Sequence, residues 1–265
     1  MPLSGRYRLR IGQGTELRKA VQLLIVATYN RQVTMAWRTA MIPRQIRGRA
    51  VGHWTPRYIR ARARQALYQR GHPDGPWLTP EAIRLLDSIL RPSDIGAEFG
   101  SGRSTLWLAR RCAHLTSVEH DEAWHATVSA TLAVEGISHV DYQCHPRDEP
   151  DASGDRSAYA QVAQFLGDES IDFALVDGLY RDYVTLFLLP KIRPGGMLII
   201  DNVNRYLPSQ TRSPASLLPP AAPATAGWEQ AAAALAGWRR IWTSNGVWDT
   251  AIFVKASGAG GKPSR

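Results

Sequence analysis

Residues 94–121 read DIGAEFGSGRSTLWLARRCAHLTSVEHD. The run Ile95 to Phe99 is short, mostly apolar and bounded by turn residues, which predicts a buried strand with Glu98 near its end. Gly100, Ser101 and Gly102 form a tight turn, and residues 104–111 carry a helical pattern. A second strand, residues 115–118, then runs into Glu119. Strand, glycine turn, helix, strand and terminal acid make the first half of a nucleotide-binding α/β unit. The glycines let backbone approach a ligand closely, and a terminal carboxylate accepts hydrogen bonds from ribose hydroxyls.

Outward from this stretch the pattern repeats. Upstream, Thr79-Pro80-Glu81 is a helix start, with a capping hydroxyl, proline at the first helical position and an acid in the first turn; the helix runs to about Leu90 and is expected to cover the first strand. Downstream, a helix over 122–134 closes on Gly136 and leads to a third strand, 140–144. A polar loop (145–156) precedes a helix over 157–166. A fourth strand, 172–176, ends in Asp177-Gly178, and a helix follows over 182–191. Pro194-Gly195-Gly196 reads as a turn before a fifth strand, 197–200, that ends in Asp201-Asn202. Two last strands, 239–243 and 250–255, are expected as an antiparallel pair at a sheet edge.

These elements add up to an α/β, Rossmann-like, seven-stranded and mostly parallel sheet with an antiparallel final pair and helices on both faces. The domain spans 77–256. It is interrupted over 207–227 by a Pro/Ala/Ser-rich insertion or lid expected to be partly disordered, and followed by a flexible tail, 257–265. Residues 1–76 form a basic helical extension, in which Arg57, Arg60 and Arg64 fall near one helical face.

The chain has 265 residues and a net charge of +9. Residues 1–70 hold fifteen Arg or Lys against one acid, Glu16, so they carry +14 and leave the rest at −5. A basic segment of this kind attracts nucleic acid, anionic lipid or acidic ligands, and also occurs as ordinary solvated surface. Cys112 and Cys144 have no metal-like spacing, which argues against a disulfide scaffold or structural zinc and for a reducing cytoplasm. The opening MPLSGRYRLRIGQG is not read as a secretory leader, and the apolar run 20–28 is too short to cross a membrane, although a membrane-surface helix stays open.

The segments GAEFGSGRSTLWLA, SVEHD, ALVDG and PGGMLIIDNV together resemble the class I S-adenosylmethionine-dependent methyltransferases over about 77–255. The turn is GSG rather than the GxGxxG of dinucleotide enzymes, and the chain finishes in a strand pair instead of a second βαβαβ half. The resemblance implies that Glu98, Gly100, Ser101 and Gly102 shape the pocket for the methionine part of S-adenosyl-L-methionine. It implies that Ser104 and Thr105 meet the cofactor carboxylate, that Glu119 holds the ribose, and that His120 lies against the adenine. Gln143, His145 and Asp148 compete for the adenine amine, and Asp177 and Gly178 bring backbone to the cofactor.

Asp177, Asp201 and Asn202 are expected on one rim, where two carboxylates and an amide oxygen would suit Mg²⁺ or another divalent cation. That set is similar to the metal-dependent catechol-type and caffeoyl-coenzyme A-type O-methyltransferases. The sequence departs from them where they carry a lysine base: here Tyr180 and Arg181 follow. Candidate catalytic residues are therefore Asp177, Tyr180, Arg181, Asp201 and Asn202, with Arg205, Tyr206 and Trp228 beside the acceptor. The leading expectation is methylation of an oxygen of a small molecule, with an anionic acceptor left open. Methylation of RNA or protein docked through the basic arm, a membrane-surface enzyme acting on a lipid or lipid-linked glycan, and a noncatalytic protein keeping the fold are the alternatives, and a homo-oligomer is open.

Overall fold

A computed structural model describes residues 55–147 and 154–257. Most of the basic helical extension expected over 1–76, the adenine candidate Asp148 and nearly all of the tail lie outside the described residues.

Helix α1 (Pro56–Gly71) starts at Thr55, whose hydroxyl accepts from Tyr58 N–H. Helix α2 (Pro80–Ile89) is capped by Thr79 as its sequence indicates. Then follow β1 (Ile95–Phe99), α3 (Arg103–Ala109), β2 (His114–Glu119), α4 (Glu122–Glu135), β3 (Val140–Cys144), α5 (Ala158–Phe165), β4 (Ile171–Val176), α6 (Arg181–Leu188) and β5 (Ile192–Asp201). A 3₁₀ turn (Val203–Arg205), α7 (Ala226–Leu235), β6 (Arg239–Ser244) and β7 (Asp249–Val254) complete the order.

The seven strands lie in the order β3-β2-β1-β4-β5-β7-β6. The first five are parallel, and β7 pairs antiparallel with both β5 and β6. This is the expected fold class. The final antiparallel pair forms one end of the sheet as expected, with β7 lying between β5 and the edge strand β6. Pro194-Gly195-Gly196 is also not a turn before the fifth strand. β5 begins at Ile192, opposite Ile171, and carries these residues as an irregularity before Phe173 pairs with Met197.

Alternation along the central strands divides the core into two layers, because successive side chains in a strand face opposite sides. On one face Leu198, Ile200, Ala251 and Phe253 join Val184 and Leu188 of α6 and Trp228 of α7. On the other Met197, Ile199, Ile252, Phe173 and Leu175 meet Ile83 and Leu86 of α2 and Trp107 of α3. Helix α2 is anchored away from β1: Thr79 N–H donates to the Thr250 hydroxyl at 3.1 Å, and its hydroxyl bonds that of Thr243, placing the helix cap on β6 and β7.

The 207–227 insertion is irregular but tied down rather than loose. Leu217 N–H donates to the Asn204 carbonyl, Ala224 N–H to the Tyr206 carbonyl, and the Ser213 hydroxyl to the buried Asp249 carboxylate at 2.6 Å. Trp228, expected beside an acceptor, is core instead: it is 2 % exposed and stacks on Tyr206 at 5.0 Å.

Gly96 of β1 shows how tightly the second layer is filled. A Cβ there would overlap the Phe173 ring, which is itself fully buried. Gly96→Ala should therefore destabilise the fold by about 1–3 kcal/mol, the usual cost of an extra methyl in a filled core, as a lower urea midpoint at unchanged slope.

Candidate functional site

The strand order reverses between β1 and β4, and in open α/β sheets ligands bind at the carboxyl ends of the strands flanking such a point. The two backbones meet there. Asp177 N–H donates to the Phe99 carbonyl at 2.8 Å, and Gly100 N–H crosses to the Val118 carbonyl of β2. Gly100 has φ +98°, and a Cβ on it would lie 2.5 Å from the Gly178 nitrogen. A Cβ on Gly178 would run into the Tyr159 hydroxyl. Glycine is required on both sides of this seam.

Glu98 lies beneath the turn and is fully buried. Its Oε2 accepts from the hydroxyls of Thr105 (2.6 Å) and Ser117 (2.7 Å), while Oε1 has no hydrogen-bond partner. Burial pushes the carboxyl up to about 7 against the lowering influence of the Ser104, Thr105 and Ser117 hydroxyls. Thr105 is internally committed: its hydroxyl also accepts from Gly102 N–H at 2.9 Å. It shapes the turn rather than facing a ligand. Ser104 is buried beside it.

Glu119, at the end of β2, collects four donors. Ser101 gives its N–H (3.0 Å) and hydroxyl (2.6 Å) to Oε2, and His120 and Asp121 give backbone N–H groups to Oε1 at 2.8 and 2.9 Å. The His120 ring nitrogen is also 2.9 Å from Oε1. Burial alone would raise this carboxyl, but the His120 and Ser101 side chains and the two backbone donors outweigh it and hold the group at about 2. Glu119 is thus charged at any physiological pH. Ser101 occupies the oxygen that a ribose would use, so a diol must displace or share with that hydroxyl. The Ser101 hydroxyl reaches Tyr142 as well (2.6 Å), and the Ser101 carbonyl accepts from the Trp124 indole at 3.0 Å.

His120 stands edge-on to Tyr159. Gln143 faces along β3, donating to Asp141 and bonded to His145, so neither of these two described adenine candidates points free.

The second half of the rim is held by Arg181. Its guanidinium donates to the carbonyls of Asp177 (2.6 Å), Gly178 (3.0 Å) and Asp201, and to the Asp177 carboxylate at 2.8 Å. Asp177 keeps 31 % side-chain exposure. Asp201 is buried, accepts from Thr250 at 2.7 Å, and is also bonded by the Asn202 amide nitrogen. Burial and the nearby Asp177 charge push Asp201 well up, with Thr250 and Arg181 opposing. Burial likewise raises Asp177, against Arg181. Tyr180 and Asn202 both adopt left-handed backbone, φ 45° and 53°, a conformation costly for residues other than glycine and concentrated at functional sites.

Asp177, Asp201 and Asn202 do come together, but not as a cation site. A guanidinium bridges the two strand ends, both Asp201 oxygens have donors, and Asn202 turns its amide N–H to Asp201. Among the described residues no cluster of three His, Cys, Asp or Glu is placed for a metal. The donor set does not fit a divalent ion, and Arg181 supplies the positive charge instead.

Tyr159, Tyr142 and Thr250 were not singled out by sequence. The Tyr159 ring is fully buried, and its hydroxyl lies beside the Leu179 backbone and the glycine seam without closing a hydrogen bond. Burial keeps it protonated, hence a donor. A tyrosine in an alanine-rich helix start carries no local mark that separates it from core.

Residues 97–203 match a family model described as a methyltransferase domain. The matched stretch runs from β1 to the 3₁₀ turn and contains every group of the rim except Thr250. Solved structures similar to the chain include a methyltransferase from Geobacter sulfurreducens (14% identity, 85% of this chain and 97% of that one, TM-score 0.46). Another is a methyltransferase-like protein from Silicibacter pomeroyi (23%, 69% and 89%, TM-score 0.48). A third is a Streptococcus mutans protein solved in complex with SAH (13%, 65% and 94%, TM-score 0.41). No protein of curated function matches the sequence. Among the described residues, no helix is long and apolar enough to cross a membrane.

A carboxyl whose folded-state pKa lies above its unfolded value binds its proton more tightly when folded. Glu98 therefore costs nothing below its ordinary 4.5, and stability is lost as pH rises towards about 7. Glu98→Gln should match the parent at pH 4 and exceed it at pH 8 by up to about 3 kcal/mol. Urea melts at both pH values check this, and an equal difference at both would remove the burial argument.

Proposed function

We propose that the chain is a methyltransferase that uses S-adenosylmethionine and transfers the methyl group to an oxygen of a small molecule, without a divalent ion. The observation that carries the reading is a raised, reachable carboxylate, Asp177, beside the glycine seam and fixed by Arg181. Two features suit the donor. The Gly100–Gly178 seam keeps side chains out from between the ends of β1 and β4, and Glu119 is a charged acceptor for a ribose diol.

When bound, the sulfonium supplies an electrophilic methyl group and departs as a neutral thioether. The chain has to align the acceptor, exclude water and take one proton. Asp177 Oδ1 is engaged by Arg181, which leaves Oδ2 to accept the hydroxyl proton as the new C–O bond forms and the C–S bond breaks. Its raised pKa brings it closer to neutrality and makes it a better base than an exposed aspartate. Burial and the neighbouring Asp177 charge push Asp201 further up, so of the two carboxyls Asp201 holds a proton more readily and Asp177 keeps its charge more readily. Arg181 and Tyr180 would border the acceptor, the guanidinium 5.7 Å from the Tyr206 ring favouring an anionic or aromatic one. An RNA base as acceptor is disfavoured by the lack of an NPPY-like or DPPY-like segment.

Methyl-labelled S-adenosylmethionine, incubated with the full chain and a cell extract, should label the small-molecule fraction in an alkali-stable, ether-like form. Label confined to RNA or protein overturns the acceptor class. Labelling should survive dialysis against EDTA; loss that Mg²⁺ restores overturns the metal-free reading. Asp177→Asn should lower the rate by about 10²–10⁴-fold while calorimetric affinity for S-adenosylhomocysteine stays close to the parent's.

A further inference from the structure

The methyl-transfer rim leaves the arginine-bearing helix α1 without a task. That helix forms one wall of a cleft of about 690 Å³, whose other wall is the 207–227 insertion and the β6–β7 turn. Arg57, Arg60 and Arg64 come from α1, and Arg212 comes from the insertion. All four are exposed, and no acidic side chain lines the cleft. Among the described residues none of the four has an ion pair. Asp249, the nearest acid behind the wall, is fully buried and already holds the Thr211 and Ser213 hydroxyls and the Trp242 indole.

The walls are built to a fixed spacing. The Asn245 amide donates to buried Gln65 of α1 at 3.0 Å, and its oxygen accepts from Val247 and Trp248 N–H to close the turn. Gly246, at φ +79°, lets the turn pack so closely that a Cβ there would be 3.1 Å from that of Ala61. With these polar groups committed, the groups left for a ligand are the guanidinium forks and the Gln210 amide. Guanidinium pairs with phosphate through two parallel hydrogen bonds. Arg57 to Arg64 covers about 10 Å of helix, more than one phosphate can bridge. The lining holds no aromatic ring, so bases of a nucleic acid would find nothing to stack on.

We propose that this cleft is a second binding site, for a small ligand carrying phosphate groups in series, separate from the methyl-donor pocket. Calorimetry on the full chain tests it with sodium tripolyphosphate, orthophosphate and a short RNA oligonucleotide as probes. Tripolyphosphate should bind more tightly than orthophosphate and weaken with added salt. Arg60→Gln/Arg212→Gln should lower its affinity roughly tenfold or more, with S-adenosylhomocysteine affinity unchanged. Arg212→Gln alone, on the exposed insertion, serves as the second variant and should show a smaller loss of the same kind. The proposal is overturned if both variants bind tripolyphosphate like the parent, if orthophosphate binds equally well, or if the RNA binds far more tightly and loses that affinity in the same variants.

Discussion

The close approach of Gly100 to Gly178 is the constraint on which the rest of the rim depends. It lets β1 and β4 end against one another with no side chain between them. Once the backbones meet, Glu98 is sealed beneath the turn with one oxygen unpaired, and Tyr159 is left with its hydroxyl against the seam. An unpaired buried carboxylate oxygen and an unpaired buried hydroxyl each cost stability. The raised Glu98 pKa expresses that same unmet demand as proton affinity.

The two acids at the ends of β1 and β2 show how environment, not residue type, sets behaviour. Both are glutamates in buried settings, yet one is pushed up to about 7 and the other held at about 2. Glu98 has hydroxyl donors on one oxygen only, whereas Glu119 has donors on both, three of them the backbone N–H groups of Ser101, His120 and Asp121. At the other half of the rim the same problem, carboxylates crowded at parallel strand ends, is solved by a guanidinium. Arg181 binds three carbonyls and a carboxylate at once, which a hydrated ion of the same charge would do with weaker directional control.

Much of this architecture was legible in residue order. The acid-ended strands, the glycine turn and the Thr79-Pro80 and Asp121 helix starts are local signals, and local signals survive into the fold. What was not legible arises between distant strands. Asp177, Asp201 and Asn202 invited a cation because their side chains are hard donors. The competing donor, Arg181, is defined only once β5 lies beside β4 and presents its terminal carbonyl. Thr250 meets Asp201 through an antiparallel pairing 49 residues away in sequence. Tyr142 reaches Ser101 only because β3 and β2 are in one register. Pro194-Gly195-Gly196 misled for a related reason: turn composition can be absorbed as an irregularity when both flanking segments have a partner strand.

The insertion carries the last structural consequence. Its composition suggested a loose lid, yet its fixed points are side chains that composition counts as disorder-promoting: Ser213 and Thr211 bind Asp249, and the Asn204 amide takes the Pro214 carbonyl and the Ser216 hydroxyl. Asp249 is fully buried and sits one residue before Thr250, which bonds Asp201. The insertion and the rim thus share a single short stretch of β7. A wall anchored in this way is formed before any acceptor arrives, so the ordering entropy is met during folding rather than on binding. On the proposed reading, discrimination among acceptors would then rest on fixed groups such as Arg181 and Tyr206 rather than on closure of a loop.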